Sequence, residues 1–288
     1  MSQKTKGVLC ILSAAFFFAL MNLFVKLSGN IPTLQKTFFR NIVALVFSFI
    51  LIKKQHISFK SGNGNWGSVL ARSLFGTIGL ICNFYAIDRL NISDASMLNK
   101  LSPFFAILFS YFILKEKAKP YQLACVFAAL AGTLFILKPG GQDLISVPAL
   151  IGILGGMGAG LAYTFVRKAT GNGVPGTLVV FAFSTFSCIW ALPYCIFCFT
   201  PMAAMQVLFL FMAGLAASFG QFSITAAYSY APASELSVYD YTQVIFASLL
   251  GFFFLSEIPD FLSIIGYFTI ISASVIMFII RTRHASED

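Results

Sequence analysis

A shift of 141 residues lays the second half of this sequence onto the first with no gap, taking Leu20 to Leu161. The run from Leu20 to Lys26 (L-x-x-x-F-V-K) falls on Leu161 to Arg167 (L-x-x-x-F-V-R). Leu74, Gly79 and Ala86 fall on Leu215, Gly220 and Ala227, and Leu114 and Glu116 fall on Leu255 and Glu257. Self-similarity at one period narrows the architecture before any local pattern is read.

The chain cannot cover a water-facing surface. Charged residues make up 10% of it and apolar residues 58%, whereas a soluble domain is about 25% charged. Its solvent is therefore lipid, in which only helices and closed barrels satisfy the backbone. Apolar runs of about 20 residues without a period of two select helices. Ten spans are predicted, at roughly 7–25, 34–52, 66–87, 93–114, 120–138, 148–166, 175–197, 204–227, 234–255 and 260–280. The expected fold class is an all-α polytopic membrane protein of ten transmembrane helices. The first span is too long for a removable signal peptide, and its repeat partner sits mid-chain.

The formal net charge of +9 raises nucleic acid as a partner, but its placement argues otherwise. With the N-terminus in the cytoplasm, twelve of the nineteen basic residues fall on the inner side, and only Lys26, Lys36, Arg89 and Lys138 on the outer side. That is the positive-inside pattern, with both termini cytoplasmic, most simply in a bacterial inner membrane. A Gly/Pro-containing link near Pro139 to Val147 divides the chain into residues 1–140 and 141–288, with five spans each. An odd number per copy inserts the second copy upside down, giving a 5+5 inverted repeat. Glu116 is then cytoplasmic and Glu257 outer. Such symmetry suits alternating access, because exchanging the conformations of the copies exchanges the openings.

Three local features add to the repeat. They are Arg40 inside the second span, the A-S-x-L-x-x-L-S-P-F run from Ala95 to Phe104, and the L-x-E endings at Glu116 and Glu257. Together with the ten-span length, they resemble the EamA family of the drug/metabolite transporter superfamily over nearly the whole chain. The resemblance implies a transporter with a central cavity lined mainly by spans 1, 3, 4, 6, 8 and 9, with spans 5 and 10 as peripheral supports. Members of the family are diverse in cargo. Val244 stands where the first copy has Pro103, and Phe181 where it has Arg40, so the two halves are not expected to share roles equally.

A charge at bilayer depth costs roughly 2.5–3.5 kcal/mol on insertion scales, so it usually faces a partner or a wet cavity. Asn99 and Lys100 lie one or two turns into the fourth span. Pro103, four residues after Asn99, cannot donate to the Asn99 carbonyl, and a kink is expected there. Lys100 either serves an anionic substrate group or coupling, or snorkels to headgroups about 10 Å away. Its repeat partner is Tyr241, and that of Asn99 is Asp240. Asp240, with Ser237 and Gln243 at three-residue spacing on one face, either binds a cation or cycles a proton, or forms a structural ion pair with Lys100. Arg40, next to Asn41, is read as gating or structural because the second span is expected to be peripheral. Arg72, near the cytoplasmic end of the third span, is read as snorkelling.

Uncharged polar residues complete the candidate site. Asn22 has Tyr163 as repeat partner, Asn83 shares a face with Gly76 and Gly79, and Gln221 shares one with Thr225. Each alone reads as an interhelical hydrogen bond worth roughly 0.6 kcal/mol, but together they suggest a polar cavity. The candidate substrate-binding set is Asn22, Asn83, Asn99, Lys100, Tyr163, Gln221, Asp240, Tyr241 and Gln243, with Arg40 and Pro103 as gating or structural elements. Gly152, Gly156 and Gly160 form a small-residue stripe that lets helices pack closely.

No metal or cofactor is expected. His56 and His284 lie in polar segments, the six cysteines read mostly as small apolar helix residues, and no P-loop is present to couple ATP. The leading functional reading is a secondary transporter for a small amphiphilic organic metabolite, such as an amino acid, nucleobase or related solute. It would act as exporter or exchanger, with proton coupling open. The alternatives are a membrane-embedded enzyme or lipid-handling protein using the same cavity, and a passive channel.

Overall fold

The computed structural model describes residues 3–59, 65–113, 120–137, 146–230 and 239–284. Every regular element among them is a helix: α1 (Gln3–Leu27), α2 (Thr33–Lys54), α3 (Trp66–Arg89), α4 (Ile92–Asn99), α5 (Ser102–Ile113), α6 (Pro120–Leu137), α7 (Val147–Gly171), α8 (Gly176–Phe197), α9 (Ala204–Tyr230), α10 (Thr242–Leu255) and α11 (Phe261–His284). Among the described residues eight spans are long and apolar enough to cross a bilayer, with α4 and α5 together making one of them. Leu123–Ile136 in α6 and Thr242–Leu255 in α10 are shorter apolar helices. The expected link from Pro139, the Glu116 ending and Ser237 lie wholly or mostly outside the described residues.

Burial follows the solvent that the composition demands. Phe127, Phe197 and Phe268 on α6, α8 and α11 are 70%, 84% and 75% exposed, whereas Lys36 and Asn41 on α2 are completely buried. A water-soluble domain has the reverse distribution.

The fourth expected span is interrupted, not merely kinked. α4 ends at Asn99, Lys100 and Leu101 form a turn, and α5 begins at Ser102. Pro103 thus sits in the first turn of a new helix, where its missing N–H would have had no partner in any case. The ninth expected span carries a turn at the repeat-equivalent place. Tyr239 and Asp240 are helical, Tyr241 is a turn, and α10 follows.

Helix pairs are set by small residues. α3 packs along α7, α1 along α9, α2 along α8 and α6 along α11, while α4 touches both α7 and α10. A Cβ added to Gly79 would come within 2.9 Å of the Ala159 nitrogen, and one on Gly158 within 2.9 Å of the Gly79 Cα. The α3–α7 seam is therefore backbone against backbone. The expected stripe on α7 faces the interruption between α4 and α5. A Cβ on Gly156 would lie 2.5 Å from the Leu98 carbonyl oxygen, and one on Gly160 2.8 Å from that of Ser102.

One end of the bundle is stitched by polar side chains. Gly29, at φ +67°, turns α1 into α2. The Gln35 amide donates to the Thr200 carbonyl at 2.8 Å and accepts its N–H at 2.9 Å. Lys36 pairs with Asp88 at 2.5 Å. Ser256, at φ +55°, reverses the chain after α10. The next residue, Glu257, pairs with Lys26 and accepts the Ile92 N–H at the start of α4 at 2.7 Å. Lys26 also donates to the Leu90 carbonyl.

Gly156→Val should destabilise the protein by about 1–3 kcal/mol through overpacking, read as a lower melting temperature in detergent. Gly67→Val, where an added Cβ meets nothing within 4 Å, should leave melting unchanged.

Candidate functional site

Besides the Lys26–Glu257 pair, the two parts of the chain meet electrostatically at the interruption after α4. Lys100 Nζ lies 2.7 Å from Asp240 Oδ2, and the two side chains are only 3% and 1% exposed. The Tyr241 hydroxyl donates to the Lys100 carbonyl at 2.9 Å. That bond satisfies an oxygen at a helix end, which would otherwise be left without an intrahelical donor. Both readings that depend on Lys100 facing inward survive, and the snorkelling alternative does not.

Beside this pair lies a cavity of about 80 Å³. Asn99 and Lys100 line it from the interruption, Asn22 from α1, Asn83 from α3, Tyr163 from α7, Gln221 from α9 and Gln243 from α10. Seven of the nine expected substrate-binding side chains are thus brought to one space, while Asp240 and Tyr241 stand behind Lys100 rather than on its wall. Asn22 donates to the Ser96 hydroxyl at 3.2 Å, and its own Oδ1 has no partner among the described residues. The same holds for Asn83 Oδ1 and Asp240 Oδ1. A buried acceptor without a donor is costly unless water or a ligand supplies one. The cavity has room for a few waters by the usual threshold of roughly 10–15 Å³ each. It is smaller than the roughly 300–1,000 Å³ of ligand pockets.

Two arginine readings change. Arg40 is not peripheral: it is 2% exposed and lines the cavity from α2, with its Nη1 donating to Asn41 Oδ1 at 2.5 Å. Asn41 is held in turn by the Thr37 carbonyl at 2.9 Å. Arg72 does not snorkel. It is 4% exposed and lines the same cavity, and its guanidinium lies 4.2 Å from the centre of the Phe183 ring, a cation–π distance. The side chain lies across Gly76, where an added Cβ would come within 1.9 Å of Nη1. Gly76, one turn along α3, was the available signal, because only glycine leaves that groove. Phe183 on α8 and the apolar wall of Phe18, Met21 and Leu80 carry no mark in the sequence that sets them apart from other apolar residues. Thr225, expected to share the site with Gln221, instead donates to the Gln221 carbonyl at 2.7 Å. None of the cavity-lining residues comes from α6 or α11.

The comparisons with known proteins agree with this architecture. The model of the EamA-like transporter family matches twice, over residues 5–138 and 147–279. The chain is 30% identical to the pseudopaline exporter CntI of Pseudomonas aeruginosa, over 93% of this chain and 94% of that one. It is 27% identical to a riboflavin transporter of Rhizobium johnstonii, over 99% and 94% of the respective chains. A crystal structure with 16% identity superposes with a TM-score of 0.69, covering 97% of this chain and 98% of the other, which extends the likeness to the fold.

Lys100→Ala should cost about 3–5 kcal/mol of stability, because it leaves the Asp240 carboxylate buried and unpaired. Lys100→Met combined with Asp240→Asn should recover a large part of the loss. Melting of Lys100→Met, of Asp240→Asn and of their combination in detergent reads the coupling directly.

Proposed function

Since the chain belongs to the EamA-like transporter family and is, at that level, a membrane transporter of a small molecule, we propose that it is a secondary transporter moving a small amphiphilic organic metabolite by alternating access. Amino acids, nucleobases and related solutes are the candidate cargo. The observation that carries the reading is the buried Lys100–Asp240 pair, which ties two interrupted helices together at the wall of a polar cavity. Interrupted helices at such a place are the usual scaffold of a transport site, and intramembrane charges usually mark a substrate or ion pathway.

The packing supports the inverted-repeat form of this proposal. Under the 141-residue shift α3 corresponds to α9 and α7 to α1, so the α3–α7 and α1–α9 contacts exchange with each other. The α2–α8 and α6–α11 contacts map onto themselves. The two separate family matches support residues 1–140 and 141–288 as the copies. With the N-terminus cytoplasmic, the end stitched by Lys26, Glu257, Lys36 and Asp88 is the outer one. The structure then represents a state closed to the outside, and Glu257 is the latch that opening must release. Export or exchange is favoured by the relative that is named an exporter. Asn22, Asn83, Asn99, Tyr163, Gln221 and Gln243 would contact substrate, Asp240 and Tyr241 would act through Lys100, and Pro103 would fix the interruption. Proton coupling, if present, would run through Asp240.

The test is solute movement by the full-length protein in vesicles, screened with labelled amino acids, nucleobases and riboflavin. For the transported solute, Asp240→Asn and Lys100→Ala should each slow movement at least about ten-fold, a loss of about 1.4 kcal/mol. Glu257→Gln should increase labelling of cavity-facing cysteines introduced at Asn22 by an impermeant thiol reagent added from outside. Wild-type rates in both charge variants would remove the site assignment, and chemical turnover of the solute in detergent would replace transport with catalysis.

A further inference from the structure

Among the described residues the cavity holds more positive charge than acidic side chains neutralise. Lys100 is matched by Asp240, whereas no described carboxylate pairs with Arg40 or Arg72. Among the described residues the ion pairs are Lys26–Glu257, Lys36–Asp88 and Lys100–Asp240, and neither arginine belongs to one. The Nε atoms of both are buried and lack an acceptor. A guanidinium cannot shed its proton to escape burial as a lysine can. Two of them in one low-dielectric space repel each other and call for anionic oxygen.

Their placement is also specific. Arg40 and Arg72 come from different helices, yet both lie against the Phe183 ring, at 5.8 and 4.2 Å from its centre. Asn41 holds Arg40 by one nitrogen, leaving the rest of its fork available. Gly76 gives Arg72 its resting groove. Phe18, Met21 and Leu80 supply apolar wall in the same cavity.

We infer that Arg40 and Arg72 form an anion clamp, and that the substrate is an organic acid with two negative charges (two carboxylates or one phosphate ester) and an apolar remainder. Planar guanidinium forks bind carboxylate and phosphate oxygens in pairs. A dianion neutralises the two arginines without breaking the Lys100–Asp240 pair, so binding need not dismantle the contact that joins the interrupted helices. A cationic or neutral solute would leave both charges uncompensated. This narrowing rests on the reading that the cavity is the substrate site.

The experiment uses the full-length protein in detergent at fixed ionic strength, with melting followed against succinate, inorganic phosphate and putrescine. Succinate or phosphate should raise the melting temperature and putrescine should not. Arg40→Gln and Arg72→Gln should each weaken the anion's apparent affinity at least about ten-fold. Gly76→Ala, which keeps both charges but pushes the Arg72 guanidinium from its groove, should weaken it as well and serves if Arg72→Gln fails to fold. Lys53→Gln, on an exposed helix end, should change nothing. The clamp is overturned if neither anion stabilises the wild-type protein, or if they stabilise the arginine variants and Gly76→Ala equally well. Anion binding without solute movement in vesicles would keep the clamp and sink the transporter reading. Movement of neutral or cationic solutes at unchanged rates in Arg40→Gln and Arg72→Gln would do the reverse.

Discussion

The chain turns at Lys100–Leu101 and again at Tyr241, and one buried ion pair joins the two places. Lys100 and Asp240 are separated by 2.7 Å and almost sealed from solvent, so each is tolerable only because of the other. Their neighbourhood is arranged around this contact. The Tyr241 hydroxyl caps the Lys100 carbonyl, and the backbone just before the interruption leans on α7 so closely that Gly156 has no room for a side chain. An uninterrupted fourth helix would satisfy its own backbone and need none of this. The interruption demands the tyrosine, the glycine stripe and the paired charges, and it opens the polar space beside them.

Departures from the repeat are where the charge lies. Arg40 corresponds to Phe181, Arg72 to Ala213, Lys100 to Tyr241 and Asn99 to Asp240. Both guanidiniums come from the first half, and the carboxylate that neutralises Lys100 comes from the second. A strictly symmetric doubled chain would have placed like charges opposite each other across the cavity, at a cost that no internal partner relieves. These differences between the matched positions give a polarised pocket, with one ion pair and two arginines that no described carboxylate neutralises.

Much of this was legible in the residues because the membrane leaves the backbone few choices. Lipid excludes open strands and exposed loops, so run length alone located the helices to within a few residues. Asp240 was readable as Lys100's partner because the repeat placed both at the same depth. Three things were not legible. Pro103 announced a kink, but whether the chain bends or stops depends on what lies opposite, and α7 offers a bare glycine surface there. Arg72 is near enough to its helix end to reach water, and only the groove at Gly76 and the ring of Phe183 turn it inward. The exposure of α2 could not be judged from its own sequence, because Arg40 lies against Phe183 of α8 and its carbonyl lies close to Gly214 of α9.

The seam between α3 and α7 has no side chains between its backbones at Gly79 and Gly158. Interfaces built from rotamers can loosen by small adjustments, whereas this one can only hold or separate. Arg72 and Asn83 ride on one member of the pair and Tyr163 on the other. These three therefore form a stiff wall, and changes in the cavity's shape must come from the opposite side, where α1, α9 and α10 meet it through deformable aromatic and amide side chains.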